Sequence, residues 1–126
     1  MKTTKQIGDI GERAAAKFLK KAGYKILGRN LHFGKNELDI VAANRELILF
    51  VEVKTRSVAS LDDISYKTRA SDAVNREKRE RTEQAARAYL SQNYSEKQPR
   101  MDVIEVYLLK DSEKKILAVN HIENAF

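Results

Sequence analysis

Two apolar runs, Glu37 to Ala42 and Leu47 to Lys54, flank the segment Ala43-Asn44-Arg45-Glu46, and no other pattern in the chain constrains its folding as much. Both runs are built from the aliphatic and β-branched residues that suit buried strands, and the residues between them have turn character, so the segment predicts a β-hairpin. The second run is interrupted by charge, in Phe50-Val51-Glu52-Val53-Lys54. Residues two apart on a strand share a face, so Glu52 and Lys54 point one way while Val51 and Val53 point the other. Charges inside a central strand cost stability unless they are paired or bound to a cation, and this pair therefore needs a chemical reason.

A hairpin symmetric about Asn44-Arg45 sets Asp39 opposite Phe50 and Glu37 opposite Glu52, with Asp39, Glu37, Glu52 and Lys54 on one face. Asp39 and Glu52 then become diagonal neighbours, roughly 7–8 Å apart along the backbone. A single bulge between them would reverse the parity and turn Asp39 to the opposite face. Converging carboxylates in a chain with no cysteine and only His32 and His121 suit a hard, oxygen-ligated Mg²⁺ or Mn²⁺ rather than zinc. The alternative is a salt-bridge cluster at a sheet edge, and the pattern alone leaves both open.

On the N-terminal side, Ile7, Ile10, Ala14, Phe18 and Ala22 recur at helical spacing, with Thr3 or Thr4 as cap and Gly23 at the end. Tyr24 to Phe33 reads as a strand, followed by Gly34-Lys35 and the hairpin. Ser57 to Ser71 shows no period and reads as a long loop ending at the helix cap Asp72. A second helix is expected from Ala73 to Leu90, with Val74, Ala85, Ala88 and Tyr89 inward. Lys78 and Arg81 fall on the same side as Val74 and Ala85. They either snorkel over the core or face a phosphate site. Pro99 closes a polar linker, and strands follow from Asp102 to Leu109 and from Lys115 to Ile122; His121, Tyr107 and Phe126 are assigned to packing at the chain's end. The order α-β-β-β-α-β-β indicates an α/β fold with a mixed central sheet of five strands flanked by helices.

At 126 residues, with 42% hydrophobic residues and one proline, residues 1–126 make a single packed domain. The absence of cysteine excludes disulfides and thiolate chemistry, and no stretch is long and apolar enough for a membrane span or a secretory signal, so a cytoplasmic protein is expected. The charge is concentrated: residues 1 to 35, Lys35 included, hold nine Lys/Arg against Asp9 and Glu12. Such a segment either attracts phosphate backbones or forms a solvated helix face.

Four separated segments carry a resemblance: Gly11-Glu12-Arg13-Ala14-Ala15, Asn36-Glu37-Leu38-Asp39-Ile40-Val41-Ala42, Phe50-Val51-Glu52-Val53-Lys54-Thr55-Arg56 and His121-Ile122-Glu123-Asn124-Ala125-Phe126. Asp39 followed by Glu52-Val53-Lys54 resembles the PD-(D/E)XK signature of restriction-endonuclease-like nucleases, with Leu38 in place of the proline. The four segments together resemble the YraN-type bacterial family of predicted endonucleases, which is similar in fold to the archaeal Holliday-junction resolvases. The resemblance implies Asp39 and Glu52 as metal ligands, the Val53 carbonyl as a third oxygen donor, and Lys54 as the group that orients the attacking water. It also implies Glu12 as an extra acidic residue brought to the metal by the first helix. The expected function is a Mg²⁺- or Mn²⁺-dependent endonuclease acting on DNA, branched DNA included, as a homodimer. Lys35, Arg56, Lys78 and Arg81 are the expected phosphate contacts. The rival expectation is a catalytically inactive nucleic-acid-binding module of the same fold; a third, weaker one is a partner-binding domain that uses the Ser57–Ser71 loop.

Overall fold

The structure is a computed structural model that describes residues 2–64 and 76–126. Helix α1 (Thr4–Lys21) opens on a reciprocal cap: the Thr3 hydroxyl accepts the Gln6 N–H at 3.1 Å while Gln6 Oε1 accepts the Thr3 N–H at 2.8 Å. It closes on Gly23 at φ +96°, with the Tyr24 N–H returning to the Leu19 carbonyl and the Gly23 N–H to that of Lys20. Its buried face is centred on Gly11, Ala15 and Leu19, with Ile7, Ile10 and Phe18 only partly covered at its margins. This differs from the expected stripe because three consecutive alanines let the helix lie close to the sheet.

The strands are β1 (Lys25–Phe33), β2 (Asn36–Ala43), β3 (Leu47–Val58), β4 (Gln98–Leu109) and β5 (Ser112–Ile122), and helix α2 (Arg76–Gln92) lies between β3 and β4 in the chain. They form one mixed sheet in the order β1-β2-β3-β4-β5, antiparallel except for the parallel β3–β4 pair. This is the α-β-β-β-α-β-β order expected from sequence, and it is consistent with a restriction-endonuclease-like α/β fold. Each face of the sheet is covered by one helix. Leu49, Val51 and Ile104 pack with Ala15 and Leu19 of α1, while Ile48 and Phe50 pack with Ala85, Ala86 and Tyr89 of α2.

Several expected boundaries move, among them the start of β5, which is Ser112 instead of Lys115. β3 continues through Ser57 and Val58, followed by a short 3₁₀ turn at Leu61–Asp63, so the expected loop starts later. The cap at Asp72 and the inward Val74 lie outside the described residues. Pro99 is the second residue of β4 rather than part of a linker, because the parallel ladder begins at Gln98, whose N–H donates to the Glu46 carbonyl at 2.8 Å. On α2, Thr82 and Ala86 are buried with Ala85 and Tyr89, and Ala88 is only half-buried.

The chain's end is tied to the start of β4. Asp102, fully buried, accepts two hydrogen bonds from Arg100 at 2.9 Å each and the Asn124 N–H at 2.9 Å, and pairs with His121 Nε2 at 2.7 Å. His121 also packs edge-on against Phe18, and Phe126 packs near Val103. Tyr107 is buried, with its hydroxyl on Glu105.

Candidate active site

The pairing of β2 with β3 runs from Ala43 opposite Ile48 to Ile40 opposite Val51. Glu52, Val53 and Lys54 follow, in register with Val103, Ile104 and Glu105 of β4. Here the Asp39 side chain takes over a strand's role: Oδ2 accepts the Val53 N–H at 2.8 Å.

Two expectations about this hairpin are corrected. The register is displaced by two residues, with Ile40 opposite Val51 instead of Leu49. The cause is Asn44, whose Oδ1 accepts the N–H groups of Glu46 and Leu47 at 2.9 and 2.7 Å and moves the turn's centre to Arg45-Glu46. The single-face arrangement is also broken. Leu38 and Val41 both pack on the α2 side, although an odd spacing should separate them. Ile40 packs on the α1 side, and Asp39 lines an α1-side cleft with Gly8, Glu12, Asn30, Val53 and Thr55. On β1 the same level is occupied by Asn30 at φ +50°, a left-handed conformation that asparagine tolerates. Both strands thus lose their alternation together, and Asp39 parts from Glu37 and Glu52, which line an α2-side pocket.

Glu12 reaches this edge because α1 approaches β3 very closely. A Cβ at Gly11 would lie 1.9 Å from Thr55 Oγ1 and 2.8 Å from Thr55 Cβ, so glycine is required there. The neighbouring Glu12 is 7% exposed, and its Oε1 accepts from Arg29 Nε at 3.1 Å. Burial raises the Glu12 carboxyl above the ordinary value, with the Arg29 contact pulling against it. Asp39 is pushed up to about 7 by burial, then by the charge of Glu52, against the Val53 N–H, which favours the ionised form; Glu12 and Glu37 add to the rise.

From the other face, the ammonium groups of Lys78 and Lys54 stand 2.5 and 3.3 Å from the same oxygen, Glu52 Oε1. Burial and then the neighbouring Lys78 lower the Lys54 ammonium. Lys78 is held above its ordinary value in spite of burial, chiefly because it donates a hydrogen bond to the Glu52 carboxylate and lies in that charge's field. Lys35, in the turn after Gly34, lines the Glu52 pocket with Lys78, Arg81 and Thr82. Arg81 also pairs with Glu77 at 2.6 Å. Arg56 is exposed further along β3, on the face of Lys54 by alternation, since Thr55 faces α1.

The geometry therefore gathers Glu12, Asp39, Val53, Glu52, Lys54 and Lys78 around one strand edge, with Lys35 and Arg81 beside it and Arg56 apart. Among the described residues, no three His, Cys, Asp or Glu side chains form a ready metal cage. Each of the three carboxylates instead holds a cation or an N–H. As hard oxygen donors, the carboxylates of Glu12, Asp39 and Glu52 are of the chemistry that suits Mg²⁺ or Mn²⁺. Sequence reasoning missed Arg29, Asn30 and Thr55. The first two interrupt the β1 alternation, and the third directly follows the Glu52-Val53-Lys54 triplet, opposite Gly11.

Fold and site together define an α/β protein of the restriction-endonuclease-like class with a carboxylate–lysine cluster at the β2–β3 edge. The model of "Uncharacterised protein family UPF0102" matches residues 11–106, and the chain belongs to that family, which is the YraN-type group its motifs resemble. A UPF0102 protein of Caldanaerobacter subterraneus subsp. tengcongensis is 42% identical over 97% of this chain and 95% of its own. One from Clostridioides difficile is 41% identical over 97% of each chain, and one from Symbiobacterium thermophilum 38% over 98% of each. No described helix is long and apolar enough to cross a membrane.

Proposed function

We propose that this protein is a divalent-metal-dependent endonuclease that hydrolyses DNA phosphodiester bonds, branched junctions included. The observation that carries the reading is the hydrogen bond from the Val53 N–H to Asp39, which fastens one carboxylate between Glu52 and Lys54 on the strand edge that Glu12 also approaches. Glu12, Asp39, Glu52 and the Val53 carbonyl would hold Mg²⁺ or Mn²⁺, which supplies a polarised phosphate oxygen and an activated water. Lys54 contributes a compact ammonium beside Glu52, suited to orienting that water and to balancing charge that develops on the phosphate. Lys35, Lys78, Arg81 and Arg56 hold flanking phosphates. Paired cuts in a junction need two sites related by symmetry, so a two-fold dimer belongs to this reading.

The test is cleavage of labelled four-way junction and matched linear duplex in Mg²⁺, Mn²⁺ or EDTA, beside Glu52→Gln. Metal-dependent cutting that the variant lacks is the expected result, and the ratio between substrates gives the structural preference. Binding to both DNAs without any cutting would overturn the reading in favour of a non-catalytic nucleic-acid-binding module.

A further inference from the structure

Two ammonium groups share one carboxylate oxygen at the strand edge. Lys78 Nζ and Lys54 Nζ both stand on Glu52 Oε1, a half-buried acceptor whose side chain is 13% exposed. The two lysines are tethered differently. Lys54 stands two residues from Glu52 on the same strand, whereas Lys78 reaches across from α2, with a side chain 36% exposed against 21% for Lys54. The pocket that Lys78 lines also contains Lys35, Thr82 and Arg81, the last paired with Glu77 at 2.6 Å at the helix surface, and its lining carboxylates are Glu37 and Glu52. It holds Asn36 as well, whose buried Oδ1 has no hydrogen-bond partner among the described residues. The pocket thus offers the ammonium another acceptor, and a phosphate entering it other donors.

We propose that Lys78 is a displaceable counter-ion: its ammonium neutralises Glu52 in the metal-free protein and, when a divalent cation takes that carboxylate, swings to a DNA phosphate in the adjoining pocket. This rests on the metal-site reading above and adds a role that distinguishes Lys78 from a fixed phosphate contact. Like charges near one oxygen repel, so a divalent cation and the Lys78 ammonium compete for Glu52, and by linkage each weakens the other's hold. Released from Glu52, the ammonium adds positive charge where a phosphate must bind, so metal loading primes the pocket for DNA.

The sign of one measurement separates this from a structural role. Mn²⁺ affinity is read from the electron paramagnetic resonance signal of the free ion for wild type, Lys78→Gln and Arg79→Gln, the last an exposed charge change on the same helix. Lys78→Gln is expected to bind Mn²⁺ about five- to tenfold more tightly, the scale of a part-screened ion pair, while Arg79→Gln stays within about twofold of wild type. DNA binding in Mn²⁺ should weaken for Lys78→Gln. Should that variant fold poorly, wild type alone suffices: acylation of Lys78, quantified by mass spectrometry, should rise severalfold as Mg²⁺ is added. Wild type that binds Mn²⁺ while Lys78→Gln binds no tighter, or Lys78 reactivity that is unchanged in saturating metal, overturns this inference alone. Wild type without measurable Mn²⁺ binding overturns the metal reading and this inference with it.

Discussion

Asp39→Asn should stabilise the protein at pH 8 while abolishing metal-dependent cleavage. In the folded chain the Asp39 carboxyl titrates near 7 against an ordinary value of 3.8, because burial and the Glu52 charge disfavour its ionised form. A carboxyl raised on folding makes stability fall as pH rises: the folded state keeps its proton between 3.8 and about 7 and the unfolded state does not. The ionisation penalty is therefore absent below about pH 4 and complete above about pH 7. A difference of about three pH units corresponds to a ceiling of about 4 kcal/mol, and access of water to this half-buried edge reduces the expected effect to about 2 kcal/mol. Asparagine removes the charge and keeps an oxygen to accept the Val53 N–H, so the structural bond survives the change. Urea denaturation of both proteins from pH 4 to pH 8, without metal, measures the effect. The gap should open with rising pH, and Mn²⁺ should then raise the midpoint of wild type but not of the variant. A variant that is less stable than wild type at pH 8, or a gain that is the same at pH 4, would refute the electrostatic reasoning.

Gly11→Ala should cost about 2 kcal/mol through overpacking, because a Cβ meets Thr55 Cβ, which no side-chain rotation can move. Adding Thr55→Gly should recover part of that loss, as a thermal melt of the three proteins would show. Burial alone would raise Asp102, but His121, Arg100 and the Asn124 N–H override it and hold the carboxyl below 3.8. Its ionised form therefore stabilises the fold above that pH and loses this contribution as pH falls through the folded value. Asp102→Asn should cost about 3 kcal/mol at pH 7, the scale for breaking one partner of a buried ion pair, with the deficit narrowing in acid denaturation. An unchanged urea midpoint at pH 7 would contradict it.

Local signals in the sequence survived into the structure because local contacts enforce them. Thr3 and Gly23 bracket α1 through hydrogen bonds within a few residues, and the Leu47–Val53 run becomes a buried strand between two helices whatever its exact partners. The hairpin register was not legible, since it depends on which N–H groups the Asn44 side chain caps, a choice of turn geometry rather than of composition. The side to which Asp39 turns was not legible either. It rests on a paired irregularity with Asn30, on a strand that the hairpin pattern does not include. Glu12 stands only at the edge of the apolar stripe of α1, flanked one turn away by the small Gly8 and Ala16; its place at the site follows from Gly11 meeting Thr55, a contact between residues 44 positions apart in the chain.

The broken alternation is what makes a shared site geometrically available. In an unbroken hairpin, a side chain from the α1 face and one from the α2 face are separated by the sheet itself, and Glu12 and Lys78 could not act on neighbouring carboxylates. Where β2 pairing with β3 ends after Ile40 and Val51, the missing strand bond to Val53 is replaced by Asp39, and the edge opens to both faces. Glu12 then approaches from α1 and Lys78 from α2, around an edge only one strand thick. The cost is a carboxylate held out of its preferred ionisation state, and the cations Arg29, Lys54 and Lys78 offset the accumulated charge. On the metal-site reading proposed above, this half-buried carboxylate is stability given up so that acidic groups from both faces reach one edge.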